Sequence, residues 1–172
     1  MRSIRSRLAG LCVGMLALAG TDAMAQQAAG CTSTPRTEPP RTIFTCRGGV
    51  IIEAESAAGF QIVPPQGGGA VQAVELNGKG VLVDLQPRRG RFQILTPHAI
   101  ASVRGTVYAV DVTAAATAVF VQEGKVHVTR RDGSEPVELG AGEGVDVSPG
   151  RPLTVRRWPL ERARLLLGRF GR

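Results

Sequence analysis

The residues that could perform chemistry in this sequence are few and widely spaced. The two histidines, His98 and His127, have no second histidine two or four positions away, whereas a zinc site in a small β-protein needs clustered His, Cys or carboxylate ligands. Ser102 is followed by Val-Arg-Gly and lacks the G-x-S-x-G elbow that exposes a nucleophilic serine. The sequence therefore predicts neither a metal site nor a serine nucleophile.

The carboxylates and glycine-rich stretches also have simpler explanations. Glu53 and Glu55 alternate along one face of a predicted strand, as residues on a solvated face do, whereas two-carboxylate hydrolysis needs two differently tuned environments. Residues 67–69 and 140–144 are rich in glycine, but neither leads into a helix with a phosphate-binding lysine. We predict turns at both, and a protein without catalytic residues or a cofactor.

The first 25 residues have the pattern of a secretory signal peptide. Three arginines form a positive head, residues 8–20 are apolar, and residues 23–25 (Ala-Met-Ala) match a signal-peptidase site. Because a stable transmembrane helix needs about 20 apolar residues, the apolar stretch is too short to span a membrane. We predict cleavage before Gln26 and a periplasmic location, with an uncleaved anchor as the alternative.

The predicted mature chain keeps two cysteines, Cys31 and Cys46. An even number in an exported protein favours a disulfide, and closing a loop of roughly 15 residues stabilises a fold by about 3 kcal/mol on the chain-entropy model. Three prolines lie between them, which predicts an irregular arm, residues 26–46, stapled by the disulfide. Lipidation of Cys31 stays open, since residues 28–31 weakly resemble a lipoprotein cleavage site.

The basic charge lies in the C-terminal tail. The chain has a formal net charge of +7, but residues 151–172 alone hold seven Arg and one Glu, while residues 26–150 hold eleven basic and twelve acidic residues. The body is therefore balanced and lacks the basic surface with interleaved aromatic residues that single-stranded nucleic acids require. We predict no nucleic-acid partner.

The body, residues 47–157, has the pattern of an all-β domain. Apolar runs of three to seven residues alternate with turn signals such as Asn77-Gly78 and Pro149-Gly150. Pieces of the form G-x-V-x-V recur at residues 124–128 and, in part, at 144–147. These repeats predict a solenoid-like stack of short strands.

The tail, residues 158–172, changes to helical periodicity after Pro159. Its predicted apolar stripe consists of Leu160, Ala163, Leu166, Leu167 and Phe170, and the other side carries Arg162, Arg164 and Arg169. Two interpretations stay open. Either the helix closes the β domain with its apolar stripe, or it is a cationic amphipathic segment that contacts an anionic membrane surface or a partner.

Residues 96–112 read as a β-strand that Arg104, Gly105 and Thr106 interrupt. Glycine within a strand pattern often marks a bulge or a place where another backbone passes closely. The Thr106 hydroxyl can bond a neighbouring strand, and Arg104 can pair with a carboxylate. We interpret the triplet as a structural kink rather than a reactive site.

This stretch also resembles the signature of FecR domains. Residues 92–110, FQILTPHAIASVRGTVYAV, resemble the family's F-x-V-x-T-P block followed by V-x-G-T-x-F-x-V, with Tyr where the family usually has Phe. Residues 119–128 resemble V-x-V-x-E-G-x-V-x-V, and residues 137–143 resemble V-x-L-x-A-G-E/Q. The matching positions are Thr96, Pro97, Val103, Arg104, Gly105, Thr106, Tyr108, Glu123, Gly124, Val126, Ala141, Gly142 and Glu143.

The resemblance implies a solenoid-like, all-β periplasmic domain that is not an enzyme. Well-known members are inner-membrane regulators whose periplasmic part meets an outer-membrane receptor and whose cytoplasmic segment controls a sigma factor. This sequence departs from that layout because no cytoplasmic segment precedes its apolar stretch. We therefore expect an interaction module for an envelope or outer-membrane protein in signalling or regulation. The alternative is a structural component that attaches to the cell wall or membrane surface.

The signal-peptide prediction has a direct test. Expression in a Gram-negative host should yield a mature protein that begins at Gln26, by N-terminal sequencing and intact mass. A chain that keeps residues 1–25 would contradict it, and a lipid-modified mass beginning at Cys31 would support lipidation instead.

Overall fold

A computed structural model of the chain describes residues 30–65, 67, 69–86 and 90–172. The predicted signal peptide and its cleavage site lie outside the described residues. The elements in chain order are β1 (Cys31–Thr37), β2 (Pro40–Cys46), β3 (Val50–Glu55), β4 (Phe60–Ile62), β5 (Ala73–Leu76), β6 (Lys79–Leu85), β7 (Phe92–Leu95), β8 (Ala99–Val103), β9 (Val107–Val112), β10 (Thr117–Glu123), β11 (Val126–Arg130), β12 (Val137–Leu139), β13 (Glu143–Val147), β14 (Arg156–Arg157) and α1 (Leu160–Gly168).

The strands form two sheets, which confirms a mostly β protein with one short C-terminal helix. The large sheet has eight strands in the order β1-β2-β3-β6-β9-β10-β13-β14, and the small sheet has six in the order β12-β11-β8-β7-β5-β4. Apolar side chains from both sheets form one core, in which Tyr108 and Val110 of the large sheet join Ile94, Ala101 and Val128 of the small sheet. Alternation along each strand explains this, because every second residue faces the core.

The chain crosses repeatedly from one sheet to the other. It passes from β8 to β9 through residues 104–106, from β10 to β11 through residues 124–125, and from β12 to β13 through residues 140–142. The interruption in the strand-like stretch is therefore a sheet-to-sheet crossing, with Gly105 at a φ of 65°. Glycine fits here because this left-handed backbone is strained for other residues.

The predicted solenoid-like stacking is not confirmed. Among the described residues eleven strand pairs are antiparallel, and only β5 with β7 is parallel. The recurring G-x-V-x-V pieces have another cause. Residues 124–128 lead into β11, and residues 144–147 lie within β13. Each of these two strands follows a crossing. The sequence similarity thus reflects a repeated crossing between sheets rather than a repeated coil.

The N-terminal stretch that we expected to be an irregular arm forms a β-hairpin. Strands β1 and β2 pair from Cys31 opposite Cys46 to Thr37 opposite Pro40, and β2 continues the large sheet by pairing with β3. The expected disulfide joins Cys31 and Cys46. Pro35 is compatible with this hairpin because β1 is the edge strand, where a residue without an N–H is tolerated.

Helix α1 covers the outer face of the large sheet, which adds a third layer. Ala163, Leu166 and Phe170 are buried there, and Phe170 is only 1% exposed. They pack on a row of side chains from three neighbouring strands: Leu82 of β6, Ala109 of β9 and Phe120 of β10. Leu160 was predicted to belong to the apolar stripe, but it is 64% exposed and is not among the side chains that pack on this face.

A glycine substitution tests the crossing. A Cβ at Gly124 would lie 2.9 Å from the Gly105 carbonyl oxygen, whereas a Cβ at Gly133 would meet nothing within 4 Å. Both residues have a φ near 85°, so alanine strains both backbones equally and only Gly124→Ala adds a clash. We expect Gly124→Ala to lower the free energy of unfolding by about 2 kcal/mol more than Gly133→Ala, measured by denaturant titration. Equal losses would contradict the proposed close packing of the crossings.

Candidate functional site

The two crossings at residues 104–106 and 124–125 pack against each other. Thr106 donates its hydroxyl hydrogen to the carbonyl of Lys125 at 2.9 Å, and its main-chain N–H and C=O both pair with Leu85 of β6. Thr106 thus ties both crossings to the large sheet. Arg104 is exposed, and the ion pairs among the described residues do not include it.

The third crossing, at residues 140–142, lies beside the same end of the large sheet. The N–H of Gly142 donates to the carbonyl of Val121 at 2.9 Å. The Glu143 carboxylate accepts the main-chain N–H of Gly140 at 2.7 Å, which closes the turn. Among the signature positions, Gly142 and Glu143 therefore hold a crossing in place, with Ala141 directly before them.

The opposite end of the domain carries a buried polar link between the sheets. Thr96 follows β7 of the small sheet, and its hydroxyl lies 2.9 Å from that of Thr117 in β10 of the large sheet. His98 Nδ1 is 3.1 Å from the same Thr117 oxygen. The Thr96 hydroxyl oxygen also accepts a hydrogen bond from the main-chain N–H of Ala99 at 2.9 Å. Thr96 and the neighbouring Pro97 therefore belong to a hairpin that fastens the two sheets.

Tyr108 occupies the position where the family signature usually has Phe. Its ring is fully buried between the sheets, and among the described residues its hydroxyl has no hydrogen-bond partner. Burial raises the pKa of this phenol far above its ordinary value of 10.0. The side chain therefore acts as an apolar ring. Val103 and Val126, two further signature positions, pair directly across β8 and β11.

The predicted solvated face at Glu53 and Glu55 is instead half covered by the tail. Glu53 is only 5% exposed and accepts hydrogen bonds from Arg41 at 2.7 Å and from Arg172 at 3.1 Å. Glu55 is bound by Arg169 and by the N–H of Gly80. The alternation placed both carboxylates on one face, but the helix that packs there could not be deduced from their spacing.

Arg169 is an internal cation rather than a free surface contact. Its guanidinium binds both Glu55 and Asp111, the latter at 2.7 Å, and these two hydrogen bonds raise its pKa. Partial burial works to raise the pKa of Glu55, but the hydrogen bonds from Arg169 and Gly80 outweigh it and hold that pKa below its ordinary value of 4.5. The tail thus neutralises acidic residues on the sheet.

Arg162 and Arg164, the other two predicted contact residues, differ in their surroundings. Arg162 binds Asp146 through two hydrogen bonds, of 2.9 and 2.5 Å, and lies 3.5 Å above the centroid of the Trp158 ring system. Trp158 in turn stacks on Phe120, with ring centroids 5.1 Å apart. Arg164 is exposed and absent from the ion pairs of the described residues.

An open groove of about 560 Å³ lies beside Trp158 and is lined by four of the seven arginines of residues 151–172. We call it the arginine groove. Its lining includes three polar residues, Asp146, Ser148 and Thr154, and four arginines, Arg151, Arg156, Arg157 and Arg162. Composition located this charge in the tail, but only the fold shows that four arginines surround one groove.

A second concave surface lies on the outer face of the small sheet. It has a volume of about 330 Å³ and is lined by Ser102, His127, Glu138 and three basic residues, Arg91, Arg104 and Lys125. Lys125 pairs with Glu138 at 2.7 Å. Within the described part of the chain, no three metal-ligating side chains form a cluster, and no helix is long and apolar enough to span a membrane.

The role of Arg169 can be tested by substitution. We expect Arg169→Met to lower the free energy of unfolding by about 2 kcal/mol at pH 7, because two partly buried carboxylates lose a charged donor. Since the folded pKa of Glu55 is depressed, its contribution is present above pH 4.5 and is lost as the pH falls through the folded pKa. The difference from wild type should therefore shrink below pH 4.5 in thermal melts. Arg164→Met is the control and should be neutral.

Two crystal structures share this fold. Both are described as a "putative anti-sigma factor" from Parabacteroides distasonis ATCC 8503, at 2.50 Å and 1.65 Å resolution, and both align with a TM-score of 0.60. Sequence identities are 18% and 17%, over 78% and 79% of this chain and 64% of the other chain in each case. This chain therefore spans less than two thirds of the length of those proteins. A search of curated proteins found no match.

The family comparison agrees with the resemblance seen in the sequence. The model described as "FecR protein" matches residues 41–127. That range runs from β2 to β11 and includes the crossings at Gly105 and Gly124. Because the match covers half of the chain, this protein belongs to the FecR family.

Proposed function

We propose that this chain is an exported, non-catalytic module that acts in envelope signalling or regulation by binding another protein. The observation that carries the proposal is the FecR family match to residues 41–127. The structural neighbours described as anti-sigma factors also favour a regulatory role. A stapled hairpin supports an oxidising compartment, because disulfides persist there and are rare in the cytosol.

The arrangement of the signature residues supports binding rather than catalysis. Thr106, Gly124 and Glu143 hold the sheet crossings, and Tyr108 fills the core. Thr106 lines a concave surface, but it is buried and its hydroxyl donates to the Lys125 carbonyl. The family signature therefore builds a scaffold, and we propose that recognition depends on surfaces that this scaffold carries.

A component that attaches to the cell wall or membrane is the alternative. The exposed Leu165 and Arg164 of α1 favour it. The packing of α1 argues against a free membrane-binding tail, because Leu166 and Phe170 are buried in the domain and Arg169 is paired within it. Removing residues 159–172 would consequently damage the fold, so deletion cannot distinguish the two functions.

Site-specific crosslinking in cells tests the proposal. A photo-crosslinking amino acid would replace three exposed residues on separate faces: Thr34 on the hairpin, His127 on the small sheet and Thr154 beside the arginine groove. We expect at least one position to capture a discrete envelope protein, identified by mass spectrometry and confirmed by the reciprocal crosslink. Capture of only lipid or wall fragments from all three positions would overturn protein recognition and support attachment.

A further inference from the structure

The arginine groove lies where the pairing between β13 and β14 stops. Glu143 pairs with Arg157 and Gly144 with Arg156. Continuing this register would place Asp146 opposite Thr154, but the ladder ends at Gly144. Instead, Asp146 of β13 and Thr154, which precedes β14, both line the groove. The two segments therefore separate after one short pairing and leave a slot between them.

This slot exposes an unpaired main-chain edge of β13. The Gly142 N–H turns to Val121 of β10, but the Gly142 carbonyl accepts the N–H of Trp158. This hydrogen bond agrees with the register of Glu143 with Arg157 and Gly144 with Arg156, in which the even-numbered residues of β13 direct their main-chain groups towards β14. Alternation along an antiparallel strand then directs the main-chain groups of Asp146 into the groove. On its other edge β13 is already paired with β10, from Gly144 to Val147. Asp146 is thus paired with Ala118 of β10 on one side and, within the described part of the chain, has no strand partner on the side of β14.

The charge around the slot is positive. Arg162 is neutralised by Asp146, whereas Arg151, Arg156 and Arg157 pair with no carboxylate in the described part of the chain. Arg156 and Arg151 are both exposed. Three unneutralised guanidinium groups beside a free strand edge match a ligand that has both backbone hydrogen-bonding groups and carboxylates.

We propose that the arginine groove binds a short acidic segment of a partner protein in extended conformation, added as a strand to β13. The proposal rests on the proposed function, because it specifies the segment of the partner that is recognised. A polypeptide fits better than a lipid surface, since a membrane offers no amide groups to a strand edge. Charge attracts the segment, and main-chain hydrogen bonds at Asp146 fix its direction.

Peptide binding to the purified mature protein tests this site. The probe is a fluorescein-labelled peptide of four Glu-Val repeats, followed by fluorescence anisotropy. The groove variant is Arg151→Ser with Arg156→Ser. The matched control is Arg36→Ser with Arg164→Ser, which removes the same charge from exposed positions outside the groove. We expect the Kd to rise roughly tenfold in the groove variant and to stay within about twofold in the control.

Backbone pairing is tested separately from charge. Two further peptides carry N-methyl groups, one on every Glu amide and one on every Val amide. Both keep all four carboxylates but each lacks the N–H donors of one strand edge. We expect at least one of them to bind roughly tenfold more weakly than the parent. A peptide of four Lys-Val repeats should not bind.

Each contrary outcome overturns the proposal. Equal binding of the parent and both methylated peptides would mean that charge alone attracts the peptide. Equal weakening in the groove and control variants would remove the groove as the site. Absence of peptide binding, with groove-dependent binding to phosphatidylglycerol vesicles, would assign the groove to lipid. A partner captured only through Thr34 or His127 would leave the proposed function intact while this inference fails.

Discussion

The close approach of two sheet-to-sheet crossings is the constraint on which this fold depends. Gly124 packs against the main chain of Gly105, and Thr106 fastens both to the neighbouring segments by hydrogen bonds. The crossings let a single chain supply strands to both sheets, so that one core forms between them. A side chain at Gly124 would meet the Gly105 carbonyl oxygen and the Thr106 hydroxyl, so the two crossings could not approach as closely.

A second constraint acts on the outer face of the large sheet, where charge and apolar packing work together. One row of that face, Leu82 with Ala109 and Phe120, binds the apolar side of α1. The next row carries acidic residues, of which Asp111 and Asp146 are paired by arginines of the tail. Arginines of the basic tail thus neutralise carboxylates of the sheet. Arg156 and Arg157, which pair with no carboxylate of the described residues, lie in the edge strand β14.

The sequence predicted the strands well because their local signals are strong. Runs such as residues 81–85 and 107–112 combine apolar character with β-branched side chains, and each follows closely after a glycine. It was less informative about β1, since prolines and polar residues suggested an irregular arm, whereas the disulfide and an edge position permit a strand. The solenoid-like stacking was not confirmed, because a repeated glycine pattern does not specify whether the chain stacks on itself or crosses to another sheet.

The candidate surface could be predicted only in part. Charge counting located the arginines in the tail, but it could not separate Arg169, which is paired inside the fold, from Arg156, which is exposed. That distinction depends on carboxylates more than 50 residues earlier in the chain, since Arg169 and Asp111 are 58 positions apart. Local periodicity contains no information about such distant pairs.

The contacts between the C-terminal tail and strand β3 also constrain how the protein folds. Arg169 and Glu55 are separated by 114 positions, and Arg172 and Glu53 by 119, so these contacts close large loops and form slowly. Local hairpins such as β1 with β2 can form while the rest of the chain is still unfolded. Until α1 docks, the apolar row at Leu82 and Phe120 stays open to water. A nascent or proteolytically shortened chain would therefore be prone to aggregate through this face.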